Sequence, residues 1–81
     1  MWGIDMVVNR NPEYFLTIVQ ERSISRAAEK LYISQSSLSQ YISKLERALD
    51  VKLLDRSKNP LQVTEAGRIY KNYLESNNFL Y

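Results

Sequence analysis

Apolar residues recur at helical spacing in three successive blocks, give way to short strand-like runs, and then return to helical spacing. In the first block Phe15, Ile18 and Val19 form the inward face. Asn11 offers a cap, Pro12 suits the first helical position, and Glu13 sits near the positive end of the dipole. The pattern predicts a helix from about Pro12 to Glu21. A second, short helix follows Ser25, its expected cap, and turns Ala27, Ala28 and Leu31 inward between the flanking anchors Ile24 and Ile33. The paired alanines let it approach its neighbours closely. After a tight break at Tyr32-Ile33-Ser34, Ser34 caps a third helix. Its buried line is Leu38, Ile42, Leu45 and Leu49, spaced by four, three and four residues. Its other face carries Ser36, Ser39, Gln40 and Ser43, with Gln35 in the first turn and Lys44, Glu46 and Arg47 toward the far end.

Beyond Asp50 the period changes. Val51 to Arg56 and Leu61 to Val63 are predicted to pair as strands around Ser57-Lys58-Asn59-Pro60, which has strong turn chemistry. Thr64 then caps a fourth helix that opens with Glu65 and presents Ala66, Ile69, Tyr70, Tyr73 and Leu74 on one face, before an apolar end at Phe79-Leu80-Tyr81. The predicted fold is mainly α: a three-helix core, a small β-hairpin wing and a C-terminal helix. Residues 1–10 lack a sustained period and read as a loosely ordered lead-in, residues 11–63 as one winged helix-turn-helix domain, and residues 64–81 as the fourth helix.

Composition removes whole classes of chemistry. The 81 residues contain neither cysteine nor histidine, which excludes disulfide stapling, zinc-finger ligation and thiol or imidazole catalysis. Only two glycines are present, with no phosphate-cradling loop and no carboxylate pair isolated in an apolar cleft, so no enzyme, cofactor or metal site is expected. The aromatics do not fall on one strand face as an RNA-stacking platform requires. No apolar run approaches the roughly 20 residues that span a bilayer, and the N-terminus lacks the features of a secretory signal. The expected setting is cytoplasmic, without a membrane. The net charge of +2 supports a nucleic-acid partner only weakly.

Charge distribution carries more. A quarter of the residues are charged, yet none is charged from Leu31 through Ser43. A helical surface of serine and glutamine without carboxylates can lie against a polyanion and still offer donors and acceptors to base edges. The two helices around Tyr32-Ile33-Ser34 therefore read as a helix-turn-helix with double-stranded DNA as the leading partner. Gln35, Ser36, Ser37, Ser39 and Gln40 are the candidate groove residues, against the alternative of a merely solvated face. Ser25 and Arg26 open the second helix, whose first amides make a phosphate seat; for Ser25, a capping role stands beside that one. Arg22, Lys44 and Lys58 are further phosphate partners of lower rank.

The order SxxxAAxxLxxSQxxLSxxIxxLExxL from Ser23 to Leu49, then LLDR at Leu53–Arg56 and VTEAG at Val63–Gly67, resembles the N-terminal winged-helix domain of LysR-type transcriptional regulators. The resemblance covers about Tyr14 to Gly67. It implies that the third helix, about residues 35–49, enters the major groove with Gln35, Ser36 and Ser39 facing it. It further implies that Arg56 on the wing touches DNA backbone or minor groove rather than pairing with Asp55 or Glu46. In that family the domain pairs as a homodimer through the helix that follows, here residues 64–81, the start of a linker. A small-molecule effector enters only where a C-terminal domain is attached. Ser36 stands where proline is common, Gln40-Tyr41 replaces a frequent Arg-Gln pair, and Asp50 stands where glycine usually ends the helix. The competing class is a winged-helix protein-interaction module that never binds DNA.

Overall fold

The computed structural model describes residues 12–76. The lead-in, the Asn11 cap and the Phe79-Leu80-Tyr81 end lie outside the described residues. Within them the order is α1 (Pro12–Glu21), α2 (Ile24–Leu31), α3 (Gln35–Leu49), β1 (Leu54–Asp55), β2 (Gln62–Val63) and α4 (Glu65–Ser76). The predicted bounds of α1 hold, and α3 begins after Ser34, whose Oγ accepts from the Ser37 amide at 3.0 Å.

The start of α2 differs from expectation. Its cap is Ser23, in extended conformation, with Oγ accepting from the Arg26 amide at 3.1 Å. Ser25 lies inside the first turn. Ile24 can therefore be helical and still pack against the core, which fixes the helix start two residues earlier than predicted.

Both helices of the helix-turn-helix end in the same way. Tyr32 and Asp50 adopt left-handed backbone, with φ of 59° and 60°. The amides of Ile33 and Val51 reach back to the carbonyls of Ala28 and Glu46 at 3.1 and 3.2 Å. This is the Schellman arrangement, in which two otherwise orphaned carbonyls are satisfied and the chain reverses sharply. Glycine normally takes such a position, and here an aspartate and a tyrosine do. Tyr32 projects almost fully into solvent.

The core is one cluster. Phe15 and Ile18 of α1, Ala27 and Ala28 of α2, Leu38, Ile42 and Leu45 of α3, Leu53, Leu54 and Leu61 of the wing, and Tyr70 and Leu74 of α4 are buried together. Leu49, Leu31, Ile24 and Ile33 pack on its margin. α1 rests on α2, α2 on α3, and α4 returns against α1 and β2. Edge-on aromatic pairs join the layers, Phe15 with Tyr70 at 5.2 Å and Tyr14 with Tyr41 at 5.1 Å between ring centroids. Such pairs add about 0.5–1.5 kcal/mol beyond simple burial. Burial holds the Tyr41 hydroxyl well above its ordinary range and pushes Tyr70 up to about 12.

The wing is shorter than predicted: two antiparallel residues per strand, with Leu54 opposite Val63 and Asp55 opposite Gln62. The rest of the predicted first strand is held from elsewhere. The Val51 amide closes α3, and the Leu53 amide bonds the Glu46 carboxylate at 2.7 Å. Thr64 caps α4 through the Gly67 amide at 3.0 Å, as expected, while its hydroxyl donates to the Lys52 carbonyl at 2.6 Å. The predicted single face of α4 divides. Tyr70 and Leu74 turn inward and Ala66 packs beside them, whereas Ile69 and Tyr73 remain 60% and 47% exposed.

Candidate nucleic-acid interface

Helix α3 runs from core to surface within each turn. Leu38, Ile42 and Leu45 anchor one side, and that registration forces Gln35, Ser36 and Gln40 into solvent with Ser39 half-exposed at the edge. Gln35, Ser36, Ser39 and Gln40 line one shallow depression. Four of the five candidate groove residues thus converge. Ser37 does not: its amide donates to Ser34 Oγ, and its own Oγ accepts from the Ser34 hydroxyl at 2.9 Å, so it completes the helix cap.

Arg56 reaches this surface from the wing. Its Nη1 donates to Ser39 Oγ at 2.9 Å, and no ion pair to Asp55 or Glu46 is formed. Asp55 is occupied locally. Its Oδ1 accepts from the Ser57 amide at 3.0 Å and from the Ser57 hydroxyl, which hold its carboxyl below the usual carboxylate range.

Glu46 is the residue that sequence reasoning missed. It is buried, and its Oε2 accepts from the Leu53 and Leu54 amides at 2.7 and 3.1 Å. A carboxylate on α3 therefore fixes where the wing begins. The signal was present in the sequence: Glu46 follows Ile42 by four residues, on the buried line rather than opposite it. Gly67 was also passed over. It is buried at the start of α4, and a Cβ there would overlap the Leu53 carbonyl oxygen and come within 2.6 Å of Val63 Cγ1.

The cations divide into two sets. Lys30 pairs with Glu21 at 2.9 Å, Lys71 with Glu75 at 3.2 Å, Arg68 with Glu65, and Lys52 approaches Glu46 at 3.9 Å. Among the described residues, Arg22, Arg26, Lys44, Arg47, Arg56 and Lys58 make no ion pair. Ser25 and Arg26 are exposed in the first turn of α2. An exposed positive charge without a local partner costs little to hold and is available to an incoming anion. No group of three or more metal-ligating side chains and no helix long and apolar enough to cross a membrane occurs among the described residues.

Residues 10–68 match the sequence profile of the bacterial regulatory helix-turn-helix proteins of the LysR family. The chain is 39% identical over 64 residues to the HTH-type transcriptional regulator BenM of Acinetobacter baylyi, covering 79% of this chain and 21% of that protein. It is 52% identical over 56 residues to the HTH-type transcriptional activator AaeR of Escherichia coli, covering 69% of this chain and 18% of that one. The chain spans about a fifth of the length of the curated relatives it matches. Among solved structures, the BenM DNA-binding domain in complex with catB site 1 DNA superposes with a TM-score of 0.78 at 39% identity, over 85% of this chain and 81% of that one. DarR of Vibrio fischeri in complex with DNA gives 0.79 at 26% identity, over 84% and 23%.

Proposed function

The chain belongs to the LysR family of bacterial regulatory helix-turn-helix proteins, and from that membership we propose that residues 11–63 are the sequence-specific DNA-binding domain of a transcriptional regulator. α3 enters the major groove of duplex DNA, the start of α2 at Ser25 and Arg26 grips phosphate, and Arg56 brings the wing to the adjacent backbone. The observation that carries this reading is the carboxylate-free depression of Gln35, Ser36, Ser39 and Gln40 with the Arg56 guanidinium bonded to Ser39 at its edge. Glutamine matches adenine bidentately, serine serves base edges or phosphate, and neither repels the polyanion. The relatives are transcriptional regulators, and no catalysis is part of this reading. The DNA partner implies the compartment that holds the chromosome. A small-molecule effector belongs to it only if a C-terminal domain accompanies this sequence.

Selection of bound sequences from a random duplex pool tests the proposal. Enrichment of a pseudo-palindromic site is the expected result; a pool that stays random while the folded domain captures other proteins favours the interaction-module reading. On the selected site, Gln35→Ala is expected to cost about 1–3 kcal/mol and to relax preference at one base pair. Equal weakening on selected and random duplexes would remove Gln35 from the specificity set.

The homodimer is the second half of the reading. Ile69 and Tyr73 stay exposed on α4, on the side turned away from the core. A two-fold partner covering them places two recognition helices about one DNA turn apart, or a multiple of it. Sedimentation at about 100 μM, where pairing worth about 5–6 kcal/mol registers, should show a dimer that Ile69→Lys with Tyr73→Lys reduces to a monomer. A monomer for both chains contradicts pairing through this helix.

A further inference from the structure

We propose that Arg56 is a specificity-positioning residue: through Ser39 it makes the domain reject cytosine at one base position. The inference rests on the DNA-binding reading above and concerns how one hydroxyl is held. Arg56 Nη1 lies 2.9 Å from Ser39 Oγ. A guanidinium only donates, so one lone pair of the Ser39 oxygen is engaged and its O–H cannot point toward Arg56. No hydrogen bond donated by the Ser39 hydroxyl occurs among the described residues. The oxygen keeps its proton and one lone pair at the rim of the depression that Gln35, Ser36 and Gln40 share, and the adjacent positive charge strengthens it as a donor and weakens it as an acceptor.

A serine with a free rotor serves donors and acceptors alike and distinguishes little. A serine whose oxygen already accepts from an arginine favours acceptors over donors. In the major groove guanine presents N7 and O6, adenine N7 and thymine O4, whereas cytosine presents only its N4 amino donor. Cytosine opposite Ser39 therefore brings a donor to a hydroxyl biased toward donating.

Two features keep Arg56 in place before DNA arrives. Glu46 fixes the strand that leads to it through the Leu53 and Leu54 amides. Asp55, the adjacent carboxylate, is occupied by Ser57 and does not draw the guanidinium away. Both anchors of the segment Leu53–Arg56 thus lie on α3, Glu46 at one end and Ser39 at the other.

The test is a double-mutant cycle of Ser39→Ala, Arg56→Ala and the double variant, on the selected duplex and on versions with cytosine placed at each position in turn. At one position the unaltered domain should reject cytosine by about 5-fold, the value of one net hydrogen bond. That rejection should vanish in either single variant and fall no further in the double. Preference at the base facing Gln35 should persist in all of them, which separates this effect from damage to the fold. Rejection of cytosine that survives Arg56→Ala, or losses that simply add, overturns the inference and returns Arg56 to a sequence-blind phosphate contact. A domain without preference for any duplex overturns the DNA-binding reading itself, and this inference with it.

Discussion

Replacing Gly67 with alanine is expected to destabilise the domain by about 2 kcal/mol or more, lowering its melting temperature by roughly 10 °C. Helix propensity alone gives the opposite sign, since alanine in place of glycine in a helix gains about 1 kcal/mol. The packing decides. The new Cβ would overlap the Leu53 carbonyl oxygen, a backbone atom that already accepts from the Thr64 amide at 3.0 Å and cannot swing aside as a side chain would. Val63 Cγ1 closes the other side at 2.6 Å. Relief requires α4 to lift from the wing, which also loosens Tyr70 and Leu74 in the core. Thermal unfolding by circular dichroism reads the sign directly, and an alanine variant that melts higher would show that α4 does not bear on Leu53.

Glu46→Ala is expected to cost about 3 kcal/mol, because two buried amides lose their acceptor and each unsatisfied donor carries a desolvation penalty of about 1–3 kcal/mol. Leu53 and Leu54 are themselves buried, so water does not readily replace the carboxylate. Glu46→Gln keeps an acceptor oxygen at that place and should cost about 1 kcal/mol, the difference between a charged and a neutral acceptor. Urea denaturation gives the energies. Hydrogen exchange at the Leu53 and Leu54 amides should accelerate in the alanine variant ahead of the α1 amides. Equal costs for alanine and glutamine would mean that Glu46 contributes volume rather than an acceptor.

The helices were legible because each buries one face, and periodic burial leaves a periodic sequence. The Leu38-Ile42-Leu45 line came from that spacing alone, and Pro12 to Glu21 from it together with the proline and glutamate that open the helix. Capping was half legible. Ser23 and Ser25 are equally good cap types, and only the packing of Ile24 chooses between them. The split of α4 was hidden because Ile69 and Tyr73 are as apolar as Tyr70 and Leu74, and an apolar residue does not announce whether the core or a partner covers it. The Arg56–Ser39 bond and the Glu46 clamp join residues 17, 7 and 8 positions apart through the wing, so their partners have no local record, and only the place of Glu46 on the buried line was legible. Of the groove candidates, Gln35, Ser36, Ser39 and Gln40 share one surface, whereas Ser37 is set apart because its polar side chain has local work in the cap.

The central claim is that the serine and glutamine surface of α3, with Arg56 bonded to Ser39 at its edge, meets duplex DNA in a sequence-dependent way. It is tested most directly by titrating the domain with its selected duplex and a scrambled one across a series of salt concentrations. The account predicts that affinity falls with salt on both, with a logarithmic slope of about −1.8 or steeper as Arg26 and Arg56 displace counterions. It also predicts that the selected duplex stays at least about 10³-fold tighter at physiological salt. Equal affinity for the two duplexes, with a slope near zero, would contradict it.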